Sequence, residues 1–179
     1  MLWLNETQAR EIVQHARRDA PREACGLIAG KANIAQRIIP LPNAASDPEK
    51  RYLIDPSAYI KTLTALEKEG LSLVGFYHSH PKGDPIPSPT DIREAAYPDA
   101  VYVIAGLRGE KPALSAWRIR YGQVESVEIC TGIPTETDED ITLSRAQKFA
   151  IILSAVLALL FLLLLSLSLL PPAPVIPVR

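Results

Sequence analysis

Twenty-two consecutive residues, Phe149 to Leu170, contain no charge, glycine or proline and only three polar side chains, Ser154, Ser166 and Ser168. As a helix rising about 1.5 Å per residue, the run is roughly 33 Å long, enough to cross the hydrocarbon core of a bilayer. Each serine hydroxyl can bond to the carbonyl one turn earlier and so hide its donor. A helix that is apolar on every face needs lipid or a large protein around it. The 148 residues ahead of it are too few to enclose it. The run therefore divides the 179-residue chain into a globular part at 1–133, an acidic polar linker at 134–148, a transmembrane helix at 149–170 and a short Pro-rich tail at 171–179. Pro171 and Pro172 stop the helix. Arg145 and Lys148 flank one end of the run and Arg179 the other, and the N-terminus shows no secretory signal. Both features favour a single C-terminal anchor with the globular part in the cytoplasm.

Separating the tail changes what the composition means. Of the first 148 residues, 62 are apolar, about 42%, which is ordinary for a soluble domain. Their 18 basic and 20 acidic residues leave no electrostatic footprint for nucleic acid. Two cysteines, Cys25 and Cys130, form no CxxC pair and no disulfide framework, which suits a reducing compartment.

Periodicity then outlines the globular part. Ala9, Ile12, Val13 and Ala16 make one face of a helix over Glu6–Asp19, with Asn5 as its cap and His15 on the polar side. Cys25–Gly30 and Asn33–Leu41 read as a hairpin turning at Lys31 and Ala32. Arg51–Ile54 reads as a further strand. Pro56–Glu69 is a helix capped by Asp55, with Pro56 in its first turn and Gly70 at its stop. Leu71–His80 is an apolar strand at the centre of the sheet. Ser88 caps a short helix reaching about Tyr97, with Pro89 at N1 and Asp91 at N3. Ala100–Leu107, Ala113–Arg120 and Gln123–Ile129 are strands, the last two joined at Tyr121 and Gly122. The fold class is α/β, a mixed and largely antiparallel sheet flanked by helices, because the hairpins force antiparallel neighbours.

Chemistry concentrates at the end of the central strand. His78 and His80, two of only three histidines, lie at i and i+2, so both rings leave one face of an extended chain. A third ligand is available from Asp91, on the first turn of a helix that follows a loop stiffened by Pro81, Pro85, Pro87 and Pro89, or from Asp84, nearer in sequence. Asp91 is preferred, because a helix holds a ligand more firmly than a Pro/Gly loop. Two histidines and one carboxylate leave an open tetrahedral position on Zn²⁺, the mark of a catalytic site. Glu23, between the first helix and the CGLIAG strand, is the candidate general base, although residue pattern alone does not select it over other glutamates. Cys25, two residues away, reads as a packing residue rather than a reactive thiol, and Trp3 and Trp117 as core or rim.

HSHP, six residues, Ser88, two residues and Asp91 match the pattern HxHPx(6)SxxD, and PREACGLIAG resembles the upstream glutamate segment that accompanies it. On these residues, over about 5–130, the chain resembles the JAMM (MPN-plus) metalloproteases, in particular the small bacterial form. The resemblance implies a JAMM/MPN-like fold with cytidine-deaminase-like layering and one Zn²⁺ per chain held by His78, His80 and Asp91. It further implies Glu23 as general base and Ser88 as the residue that steadies the oxyanion. It also implies a substrate: a peptide or isopeptide bond following the C-terminal glycines of a ubiquitin-like or sulfur-carrier protein. Only 54 residues separate Glu23 from His78, leaving no room for large specificity insertions. An extended Gly-rich tail beside the metal, paired to a strand edge, is therefore expected. The rival readings are a non-catalytic scaffold of the same fold and a membrane-tethered metal-binding module.

Overall fold

The computed structural model describes residues 1–132 and 145–168, which fall into two compact units, one before and one after residue 138. In the first, the chain runs β1 (Leu2–Trp3), α1 (Glu6–Asp19), β2 (Cys25–Lys31), β3 (Ile34–Leu41), α2 (Pro56–Lys68), β4 (Ser72–His80), α3 (Pro89–Glu94), β5 (Val101–Gly106), β6 (Ala113–Arg120), β7 (Gln123–Val127) and β8 (Ile129–Cys130). The second holds α4 (Arg145–Ser168). Residue 133, residues 134–144 of the linker expected at 134–148, the last two residues of the apolar run and the Pro-rich tail lie outside the described residues; the last four residues of that expected linker, 145–148, are the first turn of α4 instead.

The strands form one sheet in the order β7-β6-β5-β4-β2-β3-β1-β8. β4 lies between an antiparallel neighbour, β2, and a parallel one, β5, so the sheet is mixed. β7 and β8 stand at opposite ends of this order yet are separated by Glu128 alone. The sheet therefore curls until its ends are joined through one residue. The predicted strand Gln123–Ile129 thus divides at Glu128, pairing first with β6 and then with β1. β1, absent from the sequence reading, is two residues long and exists through its partners: Leu2 N donates to Glu128 O at 2.8 Å and Trp3 N to Asn33 O at 2.9 Å.

Side-chain alternation along β4 separates two apolar layers. Tyr77 packs with Ile12 and Ala16 of α1, and Phe76 with Tyr59 and Leu63 of α2 and Ile92 of α3. His78 and His80 share the parity of Phe76 and so face α2 and α3. The Tyr77 layer buries leucines, isoleucines and valines, and the Phe76 layer Leu27, Leu41 and Ile119.

Helix starts follow local chemistry closely. Asn5 and Gln8 satisfy each other's backbone amides at 2.9 Å, a reciprocal capping box at the head of α1. Asp55 Oδ1 accepts from Ala58 N at 2.8 Å at the head of α2, and Gly70 ends that helix with φ of 68°. Four further sequence expectations change. The first hairpin turns at Ala32 and Asn33, both at positive φ, one residue later than read. Arg51–Ile54 forms a single bridge, Ile54 to Asn43, instead of a strand, because the Asn43 side chain itself bonds Arg51 O and Leu53 N at 3.1 and 3.0 Å. α3 ends at Glu94, three residues short of Tyr97, whose backbone N and O bond the Tyr102 hydroxyl instead.

The fourth change concerns His15, which is buried, with Nδ1 2.8 Å from the Tyr77 hydroxyl and Nε2 3.4 Å from Asp19 Oδ2. The face of α1 that meets the sheet is Gln8, Ile12, His15 and Ala16. Its two polar members are accepted because each finds a buried partner, Gln8 Nε2 donating to Ala35 O at 2.9 Å. Trp117 sits at a rim, its Nε1 donating to Pro85 O at 2.9 Å.

In the second unit, α4 begins at Arg145, four residues before the apolar run. Its window Phe149–Ser166 has a mean hydropathy of 2.9 and none of its residues is buried. By length and composition this helix can cross a membrane.

Candidate metal centre

The C-terminal end of β4 gathers the predicted ligands. His78 Nε2 lies 3.1 Å from His80 Nε2, 3.4 Å separates His78 Nε2 from Asp91 Oδ1, and 3.3 Å separates His80 Nε2 from Asp91 Oδ2. A tetrahedral ion bonded at about 2.0–2.2 Å to nitrogen and oxygen needs neighbouring ligand atoms about 3.3 Å apart. The three separations are of that order, the two to Asp91 running to different oxygens, Oδ1 and Oδ2. One ligand atom from each of His78, His80 and Asp91 lies within 4.8 Å of the others, a donor set that suits a divalent cation such as zinc.

Each candidate ligand is held by a different device. Asp91 is fixed by the capping box of α3: Ser88 N donates to Asp91 Oδ2 at 2.7 Å, and Asp91 N donates to Ser88 Oγ at 3.2 Å. His80 Nδ1 lies 2.9 Å from the backbone carbonyl of Asp84, a contact that leaves Nε2 turned toward His78 and Asp91. His78 is almost fully buried, with its ring stacked on Tyr52 at 4.3 Å and 20°, while its Nδ1 has no hydrogen-bond partner among the described residues. The competing candidate, Asp84, turns its carboxylate away to Arg108 at 2.9 Å and serves the site through its carbonyl.

Glu23 arrives by register. Antiparallel pairing sets Cys25 of β2 opposite His78, and one step beyond the strand Ala24 N donates to Ser79 Oγ at 2.8 Å while Ser79 N donates to Ala24 O at 3.0 Å. Continuing that register sets Glu23 opposite His80 on the same face. Its backbone is pinned on both sides, N to Pro48 O at 2.7 Å and O to Asn43 Nδ2 at 2.9 Å.

The charges respond to this crowding. Burial raises the Glu23 carboxyl to about 7, with His80 opposing and Asp91 adding to the shift. Burial lowers His78, while for His80 the hydrogen bonds to Asp91 and the Asp84 carbonyl outweigh burial and raise it. Asp91 is held far below the ordinary carboxylate range: burial opposes this, but the bonds to His78, His80 and Ser88 prevail. Burial pushes the Cys25 thiol up to about 12, consistent with packing and not with reactivity.

Sequence reading missed Tyr52, Asn43, Ser79 and the Asp84 carbonyl, because each acts through a backbone contact or a ring face that no residue pattern encodes. Ser79, set between the two histidines, carried the nearest thing to a signal.

The fold is that of the JAB1/MPN domains. The crystal structure of a JAB1/MPN domain protein from Archaeoglobus fulgidus aligns with a TM-score of 0.50 over 72% of this chain and 97% of that one, at 17% identity. A Desulfitobacterium hafniense protein, known from its solution structure, aligns with a TM-score of 0.68 over 76% and 97%, at 32% identity. Residues 6–120 match the family described as prokaryotic homologs of the JAB domain, and the chain belongs to that family. Among curated relatives, a probable TtuB-protein conjugate cleaving protease of Thermus thermophilus is 50% identical over 62% of this chain and 70% of its own length. A desampylase of Haloferax volcanii is 41% identical over 57% and 78%. A CysO-cysteine peptidase of Mycobacterium tuberculosis is 39% identical over 63% and 79%.

Proposed function

We propose that this chain is a zinc metallopeptidase that hydrolyses peptide or isopeptide bonds after the C-terminal glycines of a ubiquitin-like or sulfur-carrier protein. The observation that carries this reading is the convergence of His78, His80 and Asp91 within 4.8 Å of one another, with a buried carboxyl near pH 7, Glu23, in electrostatic reach of His80 and Asp91. Relatives named for cleaving protein conjugates and a sulfur-carrier adduct support the substrate class.

His78, His80 and Asp91 would hold the zinc, which when bound would supply Lewis acidity to a water and to the scissile carbonyl. Glu23 takes up the proton at its carboxylate and later returns it to the leaving amine; a group near 7 is suited to both directions. Ser88 Oγ accepts from Asp91 N, so its hydroxyl hydrogen is left to donate to the carbonyl oxygen as negative charge develops there. Capping and catalysis thus use different parts of one hydroxyl. α4 anchors the domain to a membrane, with the catalytic part on the cytoplasmic side.

The test combines zinc analysis with hydrolysis of a carrier protein fused through its C-terminal glycines. One zinc per chain and cleavage after the glycines are expected. Glu23→Gln keeps zinc and loses roughly 10²- to 10⁴-fold in rate; an unchanged rate would remove Glu23 as the base.

A further inference from the structure

The two histidines of the proposed metal centre are held in unlike ways. A histidine that binds a metal through one ring nitrogen ordinarily donates its other N–H to a carbonyl, a carboxylate or water, and that bond fixes the tautomer and the aim of the ring. His80 has such a partner, the Asp84 carbonyl 2.9 Å from Nδ1. His78 does not: its Nε2 faces His80 and Asp91, while its Nδ1 is buried with no hydrogen-bond partner among the described residues. Buried polar atoms in folded interiors are nearly always paired. The torsion that turns an imidazole plane, χ2, is also a soft one. Some contact other than a hydrogen bond must therefore set the plane of the His78 ring.

The Tyr52 ring supplies that contact. Its centroid lies 4.3 Å from that of His78, and the two planes are 20° apart, a stacked pair. Rotation about χ2 would drive an edge of the imidazole into the phenol, so the stack opposes it. An imidazole that shares the charge of a bound cation is drawn further toward the electron-rich face of the ring. Tyr52 is itself fixed from both sides in sequence. Arg51 O accepts from Asn43 Nδ2 at 3.1 Å, Leu53 N donates to Asn43 Oδ1 at 3.0 Å, and Leu53 O accepts from Ala44 N at 2.7 Å. Asn43 Nδ2 also donates to Glu23 O at 2.9 Å. One amide side chain thus ties the segment carrying the stacked ring to the backbone of the proposed base. The Tyr52 hydroxyl makes no hydrogen bond among the described residues, so the flat face of the ring is what the site uses.

We propose that Tyr52 is a positioning residue of the metal centre, its ring face aiming His78 Nε2 at the ion in place of a hydrogen bond. The inference rests on the zinc reading above and adds to it a residue that lies outside the ligand pattern. Position 52 then needs a planar ring, and neither a hydroxyl nor apolar bulk alone meets the need.

The test uses the full chain in detergent. Zinc affinity is read by chelator competition and ligand geometry by visible absorption of the cobalt-substituted protein, with circular dichroism to select folded variants. Tyr52→Phe keeps the ring and is expected to match wild type in both readings. Tyr52→Leu and Tyr52→Met keep His78 covered by apolar atoms but offer it no flat face. Zinc affinity is expected to fall roughly 10- to 100-fold in these two, the usual cost of losing a group that orients a ligand, with the tetrahedral cobalt bands weakened and shifted. A folded Leu or Met variant with wild-type affinity and cobalt spectrum overturns the proposal. Loss of affinity in Tyr52→Phe overturns it as well, because the hydroxyl would then be the working group. Wild type that binds no zinc would overturn the zinc reading instead.

Discussion

At the residue scale, the proposed ligand set and the proposed base make separate demands. Asp91→Ala removes one corner of the ligand triangle, whereas Asp84→Ala removes only a carboxylate paired to Arg108 and leaves its carbonyl on His80. Metal analysis of purified protein is expected to find zinc lost in the first variant and retained in the second. Glu23 makes its prediction through pH. In the metal-free chain its carboxyl titrates at about 7 against an ordinary 4.5, so between those values the folded state binds more protons than the unfolded state. Stability therefore falls as pH rises through that window. Metal-free Glu23→Gln is expected to be more stable than wild type at pH 8 by about 2 kcal/mol, partial solvation keeping the difference below the full value of the shift. The difference closes toward pH 4.5. Thermal unfolding at the two pH values checks this, and a constant difference would contradict it.

At the element scale, the site depends on the loop that joins β4 to α3, since this loop delivers the Asp84 carbonyl and Ser88. β5 and β6 clamp it: Trp117 Nε1 bonds Pro85 O, and Gly106 lies so close that an added Cβ would meet Pro85 N and Cδ at 2.6 Å. Gly106→Ala must displace the loop. A loss of about 1–3 kcal/mol in stability is expected from the overpacking, with metal affinity weakened roughly tenfold as His80 loses its carbonyl partner. Unfolding and chelator competition measure the two effects. The helix caps that place Ser88 and Asp91 were legible beforehand because capping is a local hydrogen-bond pattern between residues three apart. Arg51–Ile54 was misread for a related reason: its apolar residues look like a strand, but the Asn43 side chain takes the backbone groups that a neighbouring strand would have taken.

At the scale of the whole molecule, the two units make different demands on their surroundings. α4 exposes Phe149, Phe161 and a row of leucines, each at least about half exposed, and lipid removes that surface from water. The full chain is expected in the detergent phase of a phase-partition assay, and a chain ending at residue 132 in the aqueous phase with its fold intact by circular dichroism. Recovery of the full chain in the aqueous phase would rule out the anchor.

The sequence alone determined what depends on short-range pattern: the apolar run, three helix starts, the hairpins, and the spacing that places two histidines on one strand face with a carboxylate on the next helix. Only the tertiary structure decided what depends on long-range register. It set Glu23 opposite His80, exchanged His15 from the polar face of α1 to a buried contact with Tyr77, and closed the sheet through a two-residue strand at the N-terminus. It also stacked Tyr52 on His78 and brought Arg51 to Glu94. Such contacts join residues tens of positions apart, and their free energy comes from burial and paired polar groups that exist only once the sheet has formed.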